Sequence, residues 1–172
     1  MHIVFTGPES CGKTTLASWT SLRYNLPLIP EMARFYLEGR SSYDTHDLSE
    51  ILKLQLTEER KWSSNNWLIS DTDALTIEIW EKYKFGTSFT GLINRNDLTK
   101  TKRYYFLCDK DVPWQYDPLR EHPNERHLIF QVYLEYLHKY ELPFTLLSGS
   151  LQVRQQSIIS KLEDLGLLES AS

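Results

Sequence analysis

The stretch Gly7-Pro8-Glu9-Ser10-Cys11-Gly12-Lys13-Thr14 decides the fold of this chain. It fits the pattern G-x-x-x-x-G-K-[ST], in which the glycines let the backbone turn so that successive N–H groups face an anion. A short apolar segment precedes the stretch, and a segment of helical period follows it. This strand-to-helix context is typical of phosphate-binding loops. We therefore predict that these residues bind a nucleoside triphosphate.

Two side chains of this loop have predicted roles in phosphate chemistry. Lys13 is predicted to contact the β- and γ-phosphates, and the hydroxyl of Thr14 to bind Mg²⁺. The other predicted nucleotide contacts are Gly7, Glu9, Ser10, Cys11, Gly12 and Thr15. The alternative is a glycine turn that only joins a strand to a helix, which the complete pattern in this context disfavours. ATP and Mg²⁺ are thus the predicted cofactors.

Short apolar segments alternate along the chain with longer segments of helical period, which indicates a parallel sheet covered by helices on both faces. The predicted strands are 3–6, 27–29, 67–70, 104–107 and 144–147. The predicted helices are 13–24, 45–62, 74–83, 125–140 and 152–168, with Asp47 in the N-cap region of the second. We predict an α/β fold with three α/β/α layers and a five-stranded parallel sheet, of the P-loop NTPase type seen in nucleoside and nucleotide kinases.

The overall composition fits one domain over residues 1–172, since 41% of the residues are hydrophobic and 24% are charged. A net charge of -4 and a pI near 5.7 argue against broad binding to nucleic acids or membrane surfaces. Cys11 and Cys108 lack metal-ligand spacing and are predicted to be reduced thiols. The first predicted strand leaves no room for a signal peptide, and no segment is apolar enough to span a bilayer, so we expect a cytoplasmic protein.

Acidic residues follow two predicted strands, at the sheet edge where open α/β sheets bind ligands. A kinase needs one carboxylate for Mg²⁺ and another to orient the acceptor hydroxyl and take its proton. We assign Asp71 to Mg²⁺, directly or through water, and keep Glu31 and Asp73 as competing candidates for the catalytic role on the substrate side. The alternatives are a helix N-cap for Asp71 or Asp73, and a solvated i,i+3 pair between Glu31 and Arg34.

A polar segment at 109–126 follows the fourth predicted strand and is interpreted as a lid over the site. Arg120 is predicted to act in catalysis and Arg126 to bind the nucleotide, because phosphoryl transfer benefits from cations carried by a closing segment. The alternative is a surface loop with solvated charges, in which Trp114 packs onto the following helix. Residues 84–102, polar with two glycines, are predicted to form a mobile insert.

Four motifs stand in the order loop 7–14, Glu31-x-Ala33-Arg34-x-Tyr36, Asp71-Thr72-Asp73 and Trp114-x-x-Asp117-x-x-Arg120. With them the chain resembles, over most of its length, the ribosylnicotinamide kinase domain of the NadR-type proteins of bacterial NAD metabolism, a P-loop kinase fold. The resemblance implies transfer of the ATP γ-phosphate to the ribose 5′-hydroxyl of nicotinamide riboside, giving nicotinamide mononucleotide. It implies these residues on the substrate side: Glu31, Arg34, Tyr36, Asp73, Trp114 and Asp117.

The expected partner is a small nucleoside-like substrate, and neither nucleic acid nor membrane. NadR-type proteins also carry an adenylyltransferase domain, for which this chain is too short, so a separate enzyme of the NAD pathway or a second copy of the chain are the protein partners left open. Aromatic residues that are available to a base are Tyr36, Tyr43, Trp80, Trp114 and Tyr116. The alternative functions are a kinase of another nucleoside or nucleotide and a regulatory P-loop ATPase switch. An AAA-type ring motor is disfavoured, because no helical lid domain follows the core.

Overall fold

A sheet of five parallel strands forms the centre of the computed structural model, which describes residues 1–40, 42–86, 102–117 and 124–167. The strands are β1 (His2–Thr6), β2 (Leu28–Ile29), β3 (Leu68–Asp71), β4 (Arg103–Cys108) and β5 (Phe144–Leu147). Their order is β2-β3-β1-β4-β5, so the strand that precedes the phosphate loop is central. The predicted five-stranded parallel sheet is confirmed, and each strand differs from its predicted range by no more than one residue at either end.

The described helices are α1 (Lys13–Tyr24), α2 (Met32–Leu37), α3 (Thr45–Lys61), α4 (Ala74–Phe85), α5 (Arg126–Lys139) and α6 (Leu151–Asp164). The N-cap of α3 is Asp44, whose side chain accepts from two backbone N–H groups, while Asp47 completes the capping box from the third helical position. Helix α6 ends earlier than predicted because Gly166 adopts a φ of 89°, a left-handed conformation that terminates helices.

Helices cover both faces of the sheet, because neighbouring side chains of a strand point to opposite sides. Ile3 and Phe5 of β1 pack with apolar residues of α1 and α6, whereas Val4 packs with those of α3, α4 and α5. The same alternation continues along β4. The predicted three-layer α/β/α arrangement is therefore confirmed. None of the described helices is both long and apolar enough to cross a bilayer.

Two predicted segments lie partly outside the described residues. Of the predicted insert 84–102, the first residues end helix α4, and 87–101 lie outside the described part of the chain. Of the predicted lid 109–126, residues 118–123 lie outside it as well. This second gap includes Arg120, whose predicted catalytic role therefore stays a prediction.

A buried ionic cluster joins the sheet to α3 and α4. Arg103 at the start of β4 donates to Asp73 Oδ2 at 3.1 Å and to Glu59 Oε2 at 2.6 Å, and its side chain is 3% exposed. Tyr105 donates to the same Asp73 oxygen at 2.7 Å, and His2 Nδ1 lies 2.9 Å from the guanidinium. Because each charge has a partner, the cluster is tolerated in the protein interior.

Replacing Arg103 with methionine is expected to lower the free energy of unfolding by about 3–5 kcal/mol, since the buried Asp73 and the largely buried Glu59 lose their counter-ion. Urea denaturation followed by circular dichroism measures this loss. Lys53→Met is the matched control, because Lys53 forms an exposed pair with Glu50 whose removal should cost less than about 1 kcal/mol. Equal unfolding free energies for the two variants would contradict a stabilising role of the cluster.

Candidate active site

The phosphate loop lies between the end of β1 and the start of α1, and its glycines are required by its shape. Gly7 has a φ of 132°, and a Cβ atom there would lie 2.7 Å from the carbonyl oxygen of Cys108. Gly12 has a φ of 89° and is the N-cap of α1, where it offers no side chain to cover the first turn. The backbone N–H groups of that turn therefore remain available to an anion, as the predicted nucleotide site requires.

Arg154 of helix α6 links the phosphate loop to two neighbouring segments through hydrogen bonds to their backbones. Its guanidinium donates to the carbonyl oxygens of Cys11 at 2.9 Å, Gly149 at 3.1 Å and Asp109 at 3.2 Å, and it also pairs with Asp111. The residue is 2% exposed. The segments that follow β1, β4 and β5 are thus held together by one side chain. The sequence reasoning missed this residue, because an arginine near the start of a helix carries no distinctive pattern.

The base of the predicted lid also contacts the phosphate loop. Ser10 Oγ donates to the carbonyl oxygen of Pro113 at 3.4 Å and accepts from the backbone N–H of Gln115 at 2.9 Å. Arg126 donates to the carbonyl oxygen of Ser10 at 3.1 Å. Arg126, predicted to bind the nucleotide, therefore lies against the loop, and Ser10 links the loop to the lid segment.

Lys13 lies over the phosphate loop with most of its surroundings acidic or polar. Its Nζ donates to the carbonyl oxygens of Gly7 at 3.0 Å and Pro8 at 2.7 Å. Burial alone lowers the pKa of Lys13, but the neighbouring Cys11, Glu31 and Asp71 side chains outweigh it and raise that pKa above its ordinary value. The Lys13 side chain therefore carries a positive charge beside the phosphate loop.

Asp71 and Thr14 bring together two oxygen atoms that could serve as ligands of a Mg²⁺ ion. Thr14 Oγ1 donates to Asp71 Oδ2 at 2.6 Å, while Asp71 Oδ1 is buried and has no hydrogen-bond partner within the described residues. Burial, followed by the nearby charge of Glu31, raises the pKa of Asp71 to about 6. A cation at this oxygen would offset both effects. Hard oxygen ligands suit Mg²⁺, so the residues present fit the predicted ion.

Replacing Asp71 with asparagine is expected to weaken Mg²⁺ binding by about 10–100-fold, because the amide keeps an acceptor for Thr14 but loses the charge. Titration of Mg²⁺ into the protein with a non-hydrolysable ATP analogue measures the affinity. Asp164→Asn serves as the control, since Asp164 lies 68% exposed at the end of α6. An unchanged Mg²⁺ dependence in Asp71→Asn would remove Asp71 from the metal site.

A cavity of about 250 Å³ opens beside the phosphate loop, toward α2, α3 and α4. Its loop side is formed by Gly7, Glu9, Ser10, Cys11, Gly12, Lys13, Thr14 and Thr15. The other lining residues are Glu31, Met32, Ala33, Arg34, Leu37, Tyr43, Leu48, Ile51, Gln55, Thr72, Thr76, Ile77, Trp80, Val112, Gln115 and Tyr133. All predicted loop contacts therefore share one cavity with Glu31 and Arg34.

Glu31 is the N-cap residue of α2 and is held in place by an arginine that reaches the lid segment. Arg34 Nε donates to Glu31 Oε2 at 3.1 Å, and Arg34 NH1 donates to Asp117 Oδ2 at 2.8 Å. The i,i+3 pair considered from the sequence is thus present, but it is part of a three-residue network at the cavity rather than an isolated surface pair. Asp117 belongs to this network without lining the cavity.

Asp73 does not face the cavity, and the predicted catalytic and substrate-binding roles for it do not fit this placement. It is fully buried, it caps α4 by accepting from the N–H of Leu75 at 3.1 Å, and it pairs with Arg103. The alternative role that the sequence allowed for Asp73, as the N-cap of a helix, is therefore confirmed. Of the two candidates for the substrate-side carboxylate, only Glu31 lines the cavity.

Two aromatic residues predicted to bind substrate also lie away from the cavity wall. Tyr36 donates to Asp47 at 3.0 Å, and the Arg40 guanidinium lies 4.4 Å from its ring centroid. Trp114 does not line the cavity, although the adjacent Gln115 does. Their predicted substrate contacts are not supported by these positions.

Gln55 and Tyr133 are cavity residues that the sequence reasoning missed. Gln55 is 1% exposed and donates to Glu59 at 3.2 Å. It is a polar residue on the buried stripe of α3 that also contains Leu48 and Ile51, and such an interruption of an apolar stripe is a usable signal. Tyr133 lies on the buried stripe of α5, where an aromatic residue gives no such signal.

The comparisons with known proteins agree with this architecture. A model of the AAA domain family matches residues 2–154. No curated protein matches the chain by sequence. Among solved structures, a NadR protein in complex with NR aligns with a TM-score of 0.73 at 18% identity, covering 99% of this chain and 53% of that chain. This chain thus spans about half the length of the NadR protein.

Two kinases are similar over nearly their full length. Thymidylate kinase from Ehrlichia chaffeensis has a TM-score of 0.67 at 16% identity, with 94% of this chain and 98% of that chain covered. Deoxyadenosine kinase from M. mycoides has a TM-score of 0.64 at 13% identity, with 95% and 100% covered. The chain belongs to the AAA domain family, and its fold is that of the P-loop nucleoside and nucleotide kinases.

Proposed function

We propose that this protein transfers the γ-phosphoryl group of ATP to the 5′-hydroxyl of a nucleoside, with nicotinamide riboside as the first acceptor to test. One observation carries the proposal: Glu31, a carboxylate suited to accept a proton, shares a cavity with Lys13 of the phosphate loop. Phosphoryl transfer needs a donor site and a base for the acceptor within reach of each other. Membership of the AAA domain family does not separate a kinase from a switch, whereas an acceptor cavity favours the kinase.

The donor half of the site is the phosphate loop. Its N–H groups and the start of α1 would hold the β- and γ-phosphates, and Lys13 would balance their charge. Thr14 and Asp71 would hold Mg²⁺, which when bound neutralises phosphate charge. Arg126, whose guanidinium donates to the backbone carbonyl of Ser10, would then bind the phosphates from the other end of the loop.

The acceptor half is the wall formed by α2, α3 and α4. Glu31 would accept the proton of the ribose 5′-hydroxyl, and Arg34 holds its carboxylate at 3.1 Å. Farther from the loop the wall is mostly apolar, as expected for a planar base. Gln55 is one of the polar residues of this wall. One N–H of its amide donates to Glu59, so its carbonyl oxygen could accept from, and its second N–H could donate to, a group on the base.

Recognition of a pyridinium ring would be favoured by an aromatic face or by a nearby carboxylate. Tyr43 and Trp80 both line the cavity. The Lys84 ammonium lies 3.6 Å from the centroid of the Tyr43 ring, so a cationic base on that ring would lie close to a second cation. The similarity to the NadR protein in complex with NR supports nicotinamide riboside as the first acceptor, and the two other kinases support wider testing.

A coupled assay of ADP release with ATP, Mg²⁺ and a panel of nucleosides tests the proposal. The panel contains nicotinamide riboside, adenosine, deoxyadenosine, cytidine, uridine and thymidine, together with thymidylate. We expect acceptor-dependent turnover that is highest for nicotinamide riboside. Turnover of another member alone would keep the kinase and reject the acceptor. Slow ATP hydrolysis that no acceptor accelerates would favour the regulatory switch instead.

A further inference from the structure

Tyr133 of α5 is a fully buried residue whose hydroxyl is poorly satisfied by the described protein. It lines the cavity, and within the described part of the chain its hydroxyl completes no hydrogen bond of normal geometry. A buried donor without a partner is destabilising, and most such groups in folded proteins are satisfied. A poorly satisfied hydroxyl on a residue that lines the cavity is therefore best explained by a partner that occupies the cavity.

The surroundings of this hydroxyl lie where the donor and acceptor halves meet. Its electrostatic neighbours are Lys13, Thr76, Cys11 and Glu31, of which Thr76 approaches it as a weak hydrogen-bond partner. The Thr76 hydroxyl oxygen also lies 3.3 Å from the Thr6 hydroxyl oxygen. Burial raises the pKa of Tyr133 to about 12, with Lys13 and Thr76 acting in the opposite direction. The phenol therefore keeps its proton at neutral pH and can donate a hydrogen bond to an anion.

We propose that the Tyr133 hydroxyl donates a hydrogen bond to the phosphoryl group in transfer, which makes Tyr133 a further catalytic residue of the kinase proposed above. Lys13 is its strongest charged neighbour, and the loop pattern places the Lys13 ammonium on the β- and γ-phosphates. A fixed donor in a cavity shielded from water stabilises charge that develops on the reacting group more effectively than water does. The assignment rests on the proposed function for its kinetic part only.

Tyr133→Phe removes the hydroxyl and nothing else. Because that hydroxyl completes no hydrogen bond of normal geometry within the described residues, and only Thr76 approaches it as a weak partner, the melting temperature without ligand should change little. The affinity for β,γ-imido ATP should fall by roughly tenfold, while the affinity for ADP stays the same, since only the first carries a γ-phosphoryl group. Calorimetric titration of both nucleotides with Mg²⁺ gives the ratio of the two affinities directly.

Turnover adds the second measurement. Tyr133→Phe should lower kcat by at least tenfold and leave the KM of the acceptor unchanged, as expected for a contact made to the reacting phosphoryl group. Tyr104→Phe is the control, because the Tyr104 hydroxyl bonds Thr145 at 2.8 Å on the other face of the sheet. This variant should show wild-type nucleotide affinities and wild-type kcat.

The outcomes separate this proposal from the proposed function. If the wild type binds β,γ-imido ATP but phosphorylates no acceptor, the kinase is rejected and the nucleotide ratio still tests Tyr133. Wild-type values of both the ratio and kcat in Tyr133→Phe would overturn the assignment. A raised acceptor KM with unchanged kcat would also overturn it, by placing the hydroxyl on the acceptor. A lowered melting temperature would show that the hydroxyl has a structural partner instead.

Discussion

Replacing Lys13 with alanine is expected to weaken ATP binding by about 10²–10⁴-fold and to remove measurable turnover. The loop pattern assigns to the ammonium two charged contacts, with the β- and γ-phosphates, and each charge-assisted hydrogen bond is worth about 1.5–3 kcal/mol. The surrounding Cys11, Glu31 and Asp71 side chains keep the ammonium charged, despite burial, so that its full charge is available to the phosphates. Calorimetric titration with β,γ-imido ATP and Mg²⁺ measures the affinity.

Lys13 also bonds the carbonyl oxygens of Gly7 and Pro8, so alanine could change the loop as well as remove the charge. Lys13→Met retains the aliphatic stem and removes only the ammonium. Both variants should melt near the wild-type temperature without nucleotide and lose the stabilisation that ATP gives the wild type. Lys61→Ala, an exposed change on α3, should bind like the wild type. Retained affinity in Lys13→Met would show that the loop does not bind phosphate through this residue.

The fold was predictable from local features because each of them is strong by itself. The phosphate loop fixes one strand and one helix, and the other four strands are short apolar runs next to polar turns. Boundaries were less predictable where a single residue decides them. Gly166 ends α6 through its left-handed conformation, and Asp44 rather than Asp47 caps α3, since the chain geometry before the helix sets which of two aspartates reaches the first N–H groups.

The acidic motif after β3 shows why sequence alone could not order the carboxylates. Thr72 has a φ of 71°, which a β-branched residue seldom adopts, and it separates two aspartates with opposite surroundings. Asp71 lies against Thr14 of the loop, whereas Asp73 turns into the interior and meets Arg103. Arg103 is remote in sequence and comes close only because β4 lies next to β1 in the sheet. That long-range contact has no local signature.

Residues contributed to the cavity by the middle of helices were the hardest to foresee. Tyr133 and Gln55 lie on stripes that otherwise form the core, and their position at the cavity depends on how α5 and α3 pack on the sheet. By contrast, Glu31 lies two residues after the end of β2, at the edge where ligands bind in α/β sheets. The predictable part of the site is thus the part attached to strand ends.

Replacing Glu31 with glutamine is expected to lower kcat by about 10²–10⁴-fold, because the amide cannot accept the proton of the acceptor hydroxyl. The change keeps the size of the side chain and one oxygen for Arg34, which holds the carboxylate at 3.1 Å. ATP affinity should therefore change little, and the loss should appear in turnover with the best acceptor of the nucleoside panel. Glu50→Gln is the control, since Glu50 pairs with Lys53 on the exposed face of α3.

A purely structural role for Glu31 predicts different kcat values for the variants of this network. If the carboxylate only fixes Arg34 and, through it, Asp117, then Arg34→Met should reduce kcat as much as Glu31→Gln does. If Glu31 is the base, Arg34→Met should lower kcat less than Glu31→Gln does, because the carboxylate is displaced but still present. Glu31→Asp should then retain part of the activity, since it keeps a carboxylate but shortens the side chain. Equal losses in Glu31→Gln and Arg34→Met would leave the network as the functional unit and remove Glu31 as the base.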